Sequence, residues 1–160
     1  MQANVHRLRA AQAPGDMTAD EWRMRCDLAA CYRLAAMFDW TDMLATHISA
    51  RVPGTDDEFL INPYGMLFEE ITASSLVKVD QDGNILSPTD YMINPAGFVI
   101  HSCIHRARPD VGCVMHLHTR EGCAVATQGC GVLPITQHAL VIYDQITYHD
   151  FEGPALDPDE

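Results

Sequence analysis

Two histidines one residue apart, His116 and His118, carry the clearest chemical potential in this chain. They close a run, Val111 to His118, that is apolar and β-branched, entered after Pro109 and left at Thr119, a helix-capping residue type. Such a run predicts a strand. Side chains on a strand alternate with period two, so both rings project to the same side. Two neutral imidazoles held side by side on rigid backbone make half of a site for zinc or a similar ion. The same pair on a wet strand edge would bind nothing, and the spacing alone leaves both readings open. A second pair, His101 and His105, lies four residues apart in a helical pattern, where histidines either bind metal or simply pack and hydrogen-bond. Schiff-base chemistry has a single candidate, because Lys78 is the only lysine. It sits in the alternating strand Leu76-Val77-Lys78-Val79-Asp80, facing solvent, and covalent imine catalysis is rejected.

Several elements must position these residues. Thr18-Ala19-Asp20-Glu21 matches a capping box and opens a helix ending near Asp39, with Trp22, Cys26, Ala30, Leu34 and Met37 as its core face. His47, Ser49 and Arg51 then alternate with Ile48, Ala50 and Val52 as a half-buried strand. Pro53-Gly54-Thr55-Asp56-Asp57 turns the chain into Phe59-Leu60-Ile61, an antiparallel partner. Asn62-Pro63-Tyr64-Gly65 follows as a loop whose backbone amides either face a ligand or merely make a turn. Val77 and Val79 form a further strand that turns at Asp82-Gly83 toward Ile85-Leu86. Asn94 as N-cap with Pro95 at the first position starts a helix that stops before Pro109 and places Phe98, His101 and His105 on one face. Thr119 caps another helix that Gly129 ends, and the β-branched stretch from Ala139 to Tyr148 predicts at least one more strand. Strands outnumber helices and follow one another directly. That pattern predicts an α/β (α+β) domain, three layers α/β/α with a mostly antiparallel central sheet. Residues 1–17 read as a mobile arm and 18–160 as the domain.

Composition narrows the function classes. The 160 residues suit one domain, and 48% apolar content suits a folded, cytoplasmic protein. A net charge of −12 argues against nucleic acid and anionic membrane, both of which attract basic patches. No apolar run long enough for a signal peptide or a spanning helix occurs. The six cysteines form no CxxC pair and read as reduced, mostly buried thiols.

The residues from Asn94-Pro95-Ala96-Gly97-Phe98 through His101, His105 and Arg108-Pro109-Asp110-Val111 to His116-Leu117-His118-Thr119 resemble the class II aldolase/adducin family. The similarity extends upstream to Thr46-His47-Ile48-Ser49-Ala50-Arg51 and Asn62-Pro63-Tyr64-Gly65, and downstream to Tyr148-His149-Asp150-Phe151-Glu152-Gly153. It covers about residues 22–153 and is nearest the adducin-like branch. The resemblance implies the same architecture, a homo-oligomer, and a divalent metal, usually zinc, held by His116 and His118. It places the third metal histidine beyond residue 160, so that the C-terminal part of the family domain is missing, unless His138, His149 or a carboxylate substitutes. It also implies a substrate-binding side formed by His47, Asn62, Tyr64 and Gly65. Family aldolases carry their acid/base glutamate four residues before the histidine matching His101, and here that position is Gly97. No catalytic residue is therefore assigned. Pro95 and Ala96 occupy positions where aldolases offer hydroxyls to a substrate phosphate. Two expectations result. One is a metal-dependent aldehyde-lyase or isomerase acting on a small carbonyl or sugar-like compound; the other is a catalytically degenerate adducin-like domain for assembly or binding.

Overall fold

A computed structural model describes residues 13–15, 17–151 and 153–156, so most of the expected N-terminal arm lies outside the described residues. Four strands form one antiparallel sheet in the order β3-β2-β1-β4: β1 (His47–Arg51), β2 (Phe59–Ile61), β3 (Val77–Val79) and β4 (Cys113–His116). The helices are α1 (Ala19–Met37), α2 (Pro95–Ala107), α3 (Arg120–Ala126) and α4 (Gln137–Ile142). Period-two alternation gives the sheet two different faces. One carries Ile48, Ala50 and Leu60 against Leu28, Tyr32 and Ala35 of α1. The other carries Phe59, Ile61, Val77 and Val79, with Phe98 of α2 packed on them. The result is the expected three-layer arrangement, helix, sheet, helix.

Helix α1 starts as the sequence predicts, with the Thr18 hydroxyl accepting from the Glu21 amide at 3.1 Å. Its buried face is another matter. Glu21, Arg25, Leu28, Ala29, Tyr32 and Ala35 are buried, whereas Leu34 and Met37 are 51% and 76% exposed and Ala30 is exposed. Apolar residues are spread around this helix, so hydrophobicity alone does not define a stripe. The polar partners decide it. Glu21 does not reach back to complete the capping box; it accepts from Arg25 at 2.9 Å and meets Lys78 at 3.2 Å. Arg25 in turn donates to the Leu76 carbonyl at 2.7 Å, joining α1 to the start of β3. Lys78 also lies 3.4 Å from Glu58, so the lone lysine is half-buried between two carboxylates rather than free in solvent.

Tyr32 joins the layers. Its hydroxyl bonds the Ile48 carbonyl, accepts from the amides of Ile48 (3.0 Å) and Asn62 (3.1 Å), and lies 2.9 Å from Asn62 Oδ1. One buried oxygen thus ties α1 to β1 and to the end of β2. Arg51 does the same work at the other end of β1, donating to the carbonyls of Asp56 (2.8 Å) and His105 (2.7 Å). Helix α2 begins as expected, Asn94 Oδ1 accepting from the Ala96 amide at 3.1 Å with Pro95 first in the helix, and stops before Pro109.

Three expectations need correction. The stretch expected as a C-terminal strand is helix α4, because Thr136 caps it by accepting from the Ala139 amide at 3.1 Å and the β-branched residues follow within one short turn. Helix α3, capped by Thr119 as predicted, ends at Thr127 rather than at Gly129. The cysteines are not mostly buried: Cys26, Cys31 and Cys103 are half-buried, and Cys113, Cys123 and Cys130 are exposed.

Replacing Tyr32 with Phe leaves the amides of Ile48 and Asn62 without their acceptor inside the core. An unsatisfied buried group costs about 1–3 kcal/mol. Urea denaturation of Y32F is expected to show a loss of at least that size at unchanged m-value, and a loss below about 0.5 kcal/mol would contradict this role for the hydroxyl.

Candidate functional site

The site grows from the β1–β4 register. His47 pairs directly with His116, so their side chains leave the same face of adjacent strands. The rings stack, centroids 4.5 Å apart and planes 21° from parallel. The strand runs only from Cys113 to His116, shorter than the expected Val111 to His118, yet His118 follows with its ring beside that of His116, the two Nε2 atoms 3.0 Å apart. On its far side His118 Nδ1 donates to Asp42 Oδ2 at 2.9 Å. Asp42 sits in the turn after α1, a turn bracketed by positive φ at Asp39 (58°) and Met43 (45°). A methionine in that conformation is uncommon. Beside His118 opens a cleft of about 410 Å³ lined in part by Trp40, Asp42, Arg120 and Glu121.

Behind this group runs a buried polar seam between β1 and α2. His47 Nδ1 lies 2.8 Å from His101 Nε2; His101 Nδ1 bonds Ser49 Oγ; and Ser49 Oγ lies 2.9 Å from His105 Nε2. The bonds can run in either direction, since each imidazole offers one donor and one acceptor and the hydroxyl offers both. His101, His105 and Ser49 are fully buried, so α2's histidine pair is used for packing and hydrogen bonding. Burial pushes His47 down to about 4, with His116 and His118 adding to the effect. It pushes His101 down to about 2, helped by His47 and His105, and His105 down to about 4, helped by Arg51. His116 is lowered for the same reason, burial first and His118 second. These rings stay neutral, the form that ligates metal.

The sequence-predicted residues divide into two groups. His116, His118 and His47 come together. Asn62, Tyr64 and Gly65 lie past the end of β2: Asn62 is buried against Tyr32, Tyr64 is held through its amide to the Met92 carbonyl at 2.7 Å with its ring 47% exposed, and Gly65 takes a φ of 98° that suits glycine. None of the three hydrogen-bonds to the histidines among the described residues. His138 and His149 are not brought to the pair either, and no group of three or more His, Cys, Asp or Glu among the described residues can hold a metal ion. The two facing Nε2 atoms fit two coordination positions of such an ion, with the Asp42 carboxylate behind His118 as the usual outer partner of a ligating histidine. Sequence reasoning missed Asp42, an acid in a polar turn with no periodic signal. It also missed Ser49 as the bridge, although the alternation of His47, Ser49 and Arg51 already put Ser49 on the right face.

Position 97 is occupied in an unexpected way. A Cβ placed on Gly97 would lie 2.7 Å from His47 Cδ2 and 3.0 Å from Cγ and Nε2. The His47 ring fills the space that a side chain there would use.

Fold and site together define a three-layer α/β domain with a His-x-His strand at its sheet edge. The chain belongs to the class II aldolase and adducin N-terminal domain family, whose profile matches residues 26–158. A Caulobacter vibrioides relative, provisionally named an aldolase class 2 protein, is 58% identical over 146 residues, 91% of this chain and 57% of its own. Mouse alpha-adducin is 46% identical over 139 residues, 86% of this chain but 19% of the adducin. Among solved structures, an aldolase II superfamily protein from Pseudomonas syringae superposes with a TM-score of 0.86 at 55% identity, covering 90% of this chain and 58% of that one. An L-fuculose 1-phosphate aldolase from Glaciozyma antarctica gives 0.74 at 31% identity, covering 83% and 55%. The chain thus spans about three fifths of the curated bacterial relatives it matches.

The depressed histidines set a pH dependence. Each binds its proton near 6.5 when unfolded but only near 4 (His47, His105) or near 2 (His101) when folded. Between those values the unfolded chain holds more protons, so stability is complete above about 6.5 and falls as pH drops through about 4. Thermal midpoints are expected to hold from pH 7.5 to about 6.5 and to decline from there to pH 4, and a flat profile throughout would contradict neutral burial of the seam.

Proposed function

We propose that this domain holds a divalent metal, zinc by preference, between His116 and His118, and that it acts there on a small carbonyl or sugar-like compound as an aldehyde-lyase or isomerase. The observation that carries this reading is the 3.0 Å approach of the two Nε2 atoms, with Asp42 bonded to Nδ1 of His118. When bound, such an ion would supply Lewis acidity toward a substrate carbonyl. This chain's own residues do the rest. Burial keeps His116 unprotonated, and Asp42 turns the His118 ring so that Nε2 faces its partner. The cleft beside His118 admits a small molecule, with Arg120 and Glu121 on its wall. Helix α2 offers no carboxylate near the pair, because residue 97 is glycine and His47 occupies the space beside it. Cleavage of phosphorylated sugars therefore runs below the family's usual rate, since a placed proton-transfer group is worth about 10²–10⁴-fold.

The same glycine favours a second reading, a catalytically degenerate adducin-like domain serving assembly. Relatives of both kinds match this chain in sequence. Under either reading the domain is cytoplasmic and a homo-oligomer, as family likeness suggests.

Calorimetric titration with Zn²⁺ is expected to give one ion per chain, abolished in H116A and in H118A. Asp42→Asn is expected to weaken binding about 10–100-fold. A parent chain that takes up no zinc, manganese or cobalt would sink the metal reading. A coupled assay on fuculose-, rhamnulose- and ribulose-phosphates then separates the two functions: turnover abolished by H116A supports the lyase, and its absence with metal bound supports the assembly domain.

A further inference from the structure

We infer that His47 is a positioning residue for His116, and that it can take this role only because residue 97 is glycine. The inference rests on the metal reading for its purpose and on geometry for its substance.

His116 has few restraints of its own. It ends β4, its Nε2 faces His118, whose ring meets it edge-on at 5.0 Å and 64°, and the His47 imidazole stacks on its face at 4.5 Å and 21°. A ring is free to turn about its side-chain torsions unless packing stops it, and a parallel face at van der Waals distance stops it. His47 can serve as that face because it is itself fixed twice. The register places its backbone opposite His116, and Nδ1 is tied to His101 Nε2 at 2.8 Å. Near-parallel stacking also limits what else His47 does. Ring-nitrogen lone pairs lie in the ring plane, so two stacked imidazoles do not converge on one ion. His47 therefore orients a ligand and is not one.

The third restraint is helix α2. Gly97 lies in its first turn, and the His47 ring packs so near the backbone that even a methyl at 97 would meet three ring atoms at 2.7–3.0 Å. Real Cβ atoms do not sit that close, so any side chain at 97 displaces the ring and, with it, the face against which His116 rests. Residues 47 and 97 form one steric unit. Ring and side chain exclude each other.

The test uses the whole chain in four forms: parent, His47→Ala, Gly97→Ala and the double variant. Alanine is the better helix former, so G97A should raise the thermal midpoint where space allows. It is expected to lower the midpoint in the parent and raise it in the H47A background; an equal rise in both would overturn the steric unit. A carbon-bound ring proton of His116 is expected to show an upfield ring-current shift in NMR spectra that H47A removes. H47A is expected to need about tenfold more Co²⁺ for saturation, by analogy with loss of other outer-shell partners. At saturation its visible absorption bands should match the parent's. Altered bands would make His47 a ligand, and an unchanged affinity would leave it without a positioning role; either result overturns the inference. If the parent binds no cobalt or zinc, the metal reading falls alone, and the midpoint cycle and the His116 shift decide the present inference.

Discussion

Everything near the site depends on the polar seam buried between β1 and α2. Burying a hydroxyl and three imidazoles without partners would cost several kcal/mol. Here Ser49 stands between His101 and His105, and His101 passes the chain on to His47. Hydrogen bonds of this kind are directional, so they fix more than apolar contact does. They hold α2 at one height along β1, and a slip of one residue would turn His47 and Ser49 toward α1 and strand the polar atoms of α2. The pairing of His47 with His116 is the far end of the same constraint.

Much of this was legible in the sequence because it follows from short-range rules. Alternation in His47 to Val52 gave a strand with the correct division of faces, although the strand is buried on both rather than half-buried because α1 covers one face and α2 the other, and Asn94-Pro95 marked the start of α2 to the residue. Spacing alone brought His116 and His118 together, although the strand ends at His116 and not at His118. What could not be read depends on partners distant in the chain. The buried face of α1 follows Glu21 and Arg25 because Leu76 and Lys78 wait for them, 51 and 57 residues away. Ala139 to Ile142 has strand-forming residues, but a capping threonine and a helical setting override that preference. Asp42 gave no signal at all, since its role exists only once the turn after α1 meets the end of β4.

The arrangement also separates two capabilities that an enzyme of this class needs together. The paired imidazoles come from β4 and its continuation, whereas a proton-transfer group in the family's manner would come from α2. These elements meet beside His47, which bonds His101 of α2 and stacks on His116 of β4. One capability can therefore be lost while the other keeps its geometry. Similarity of fold alone says little about which of the two a chain retains.

Lys78 has a consequence of another kind. It is the chain's only lysine, and its amine lies between the carboxylates of Glu21 and Glu58 with 20% of the side chain exposed. The two carboxylates and the surrounding chain restrict a reagent's approach to that amine. Side-chain amines thus give almost no handle for cross-linkers, immobilisation resins or acetyl donors. Thiols give several, because Cys113, Cys123 and Cys130 are all exposed. A surface this poor in amines and open in sulfur invites attachment through maleimides and makes the protein more vulnerable to oxidants than to acylation.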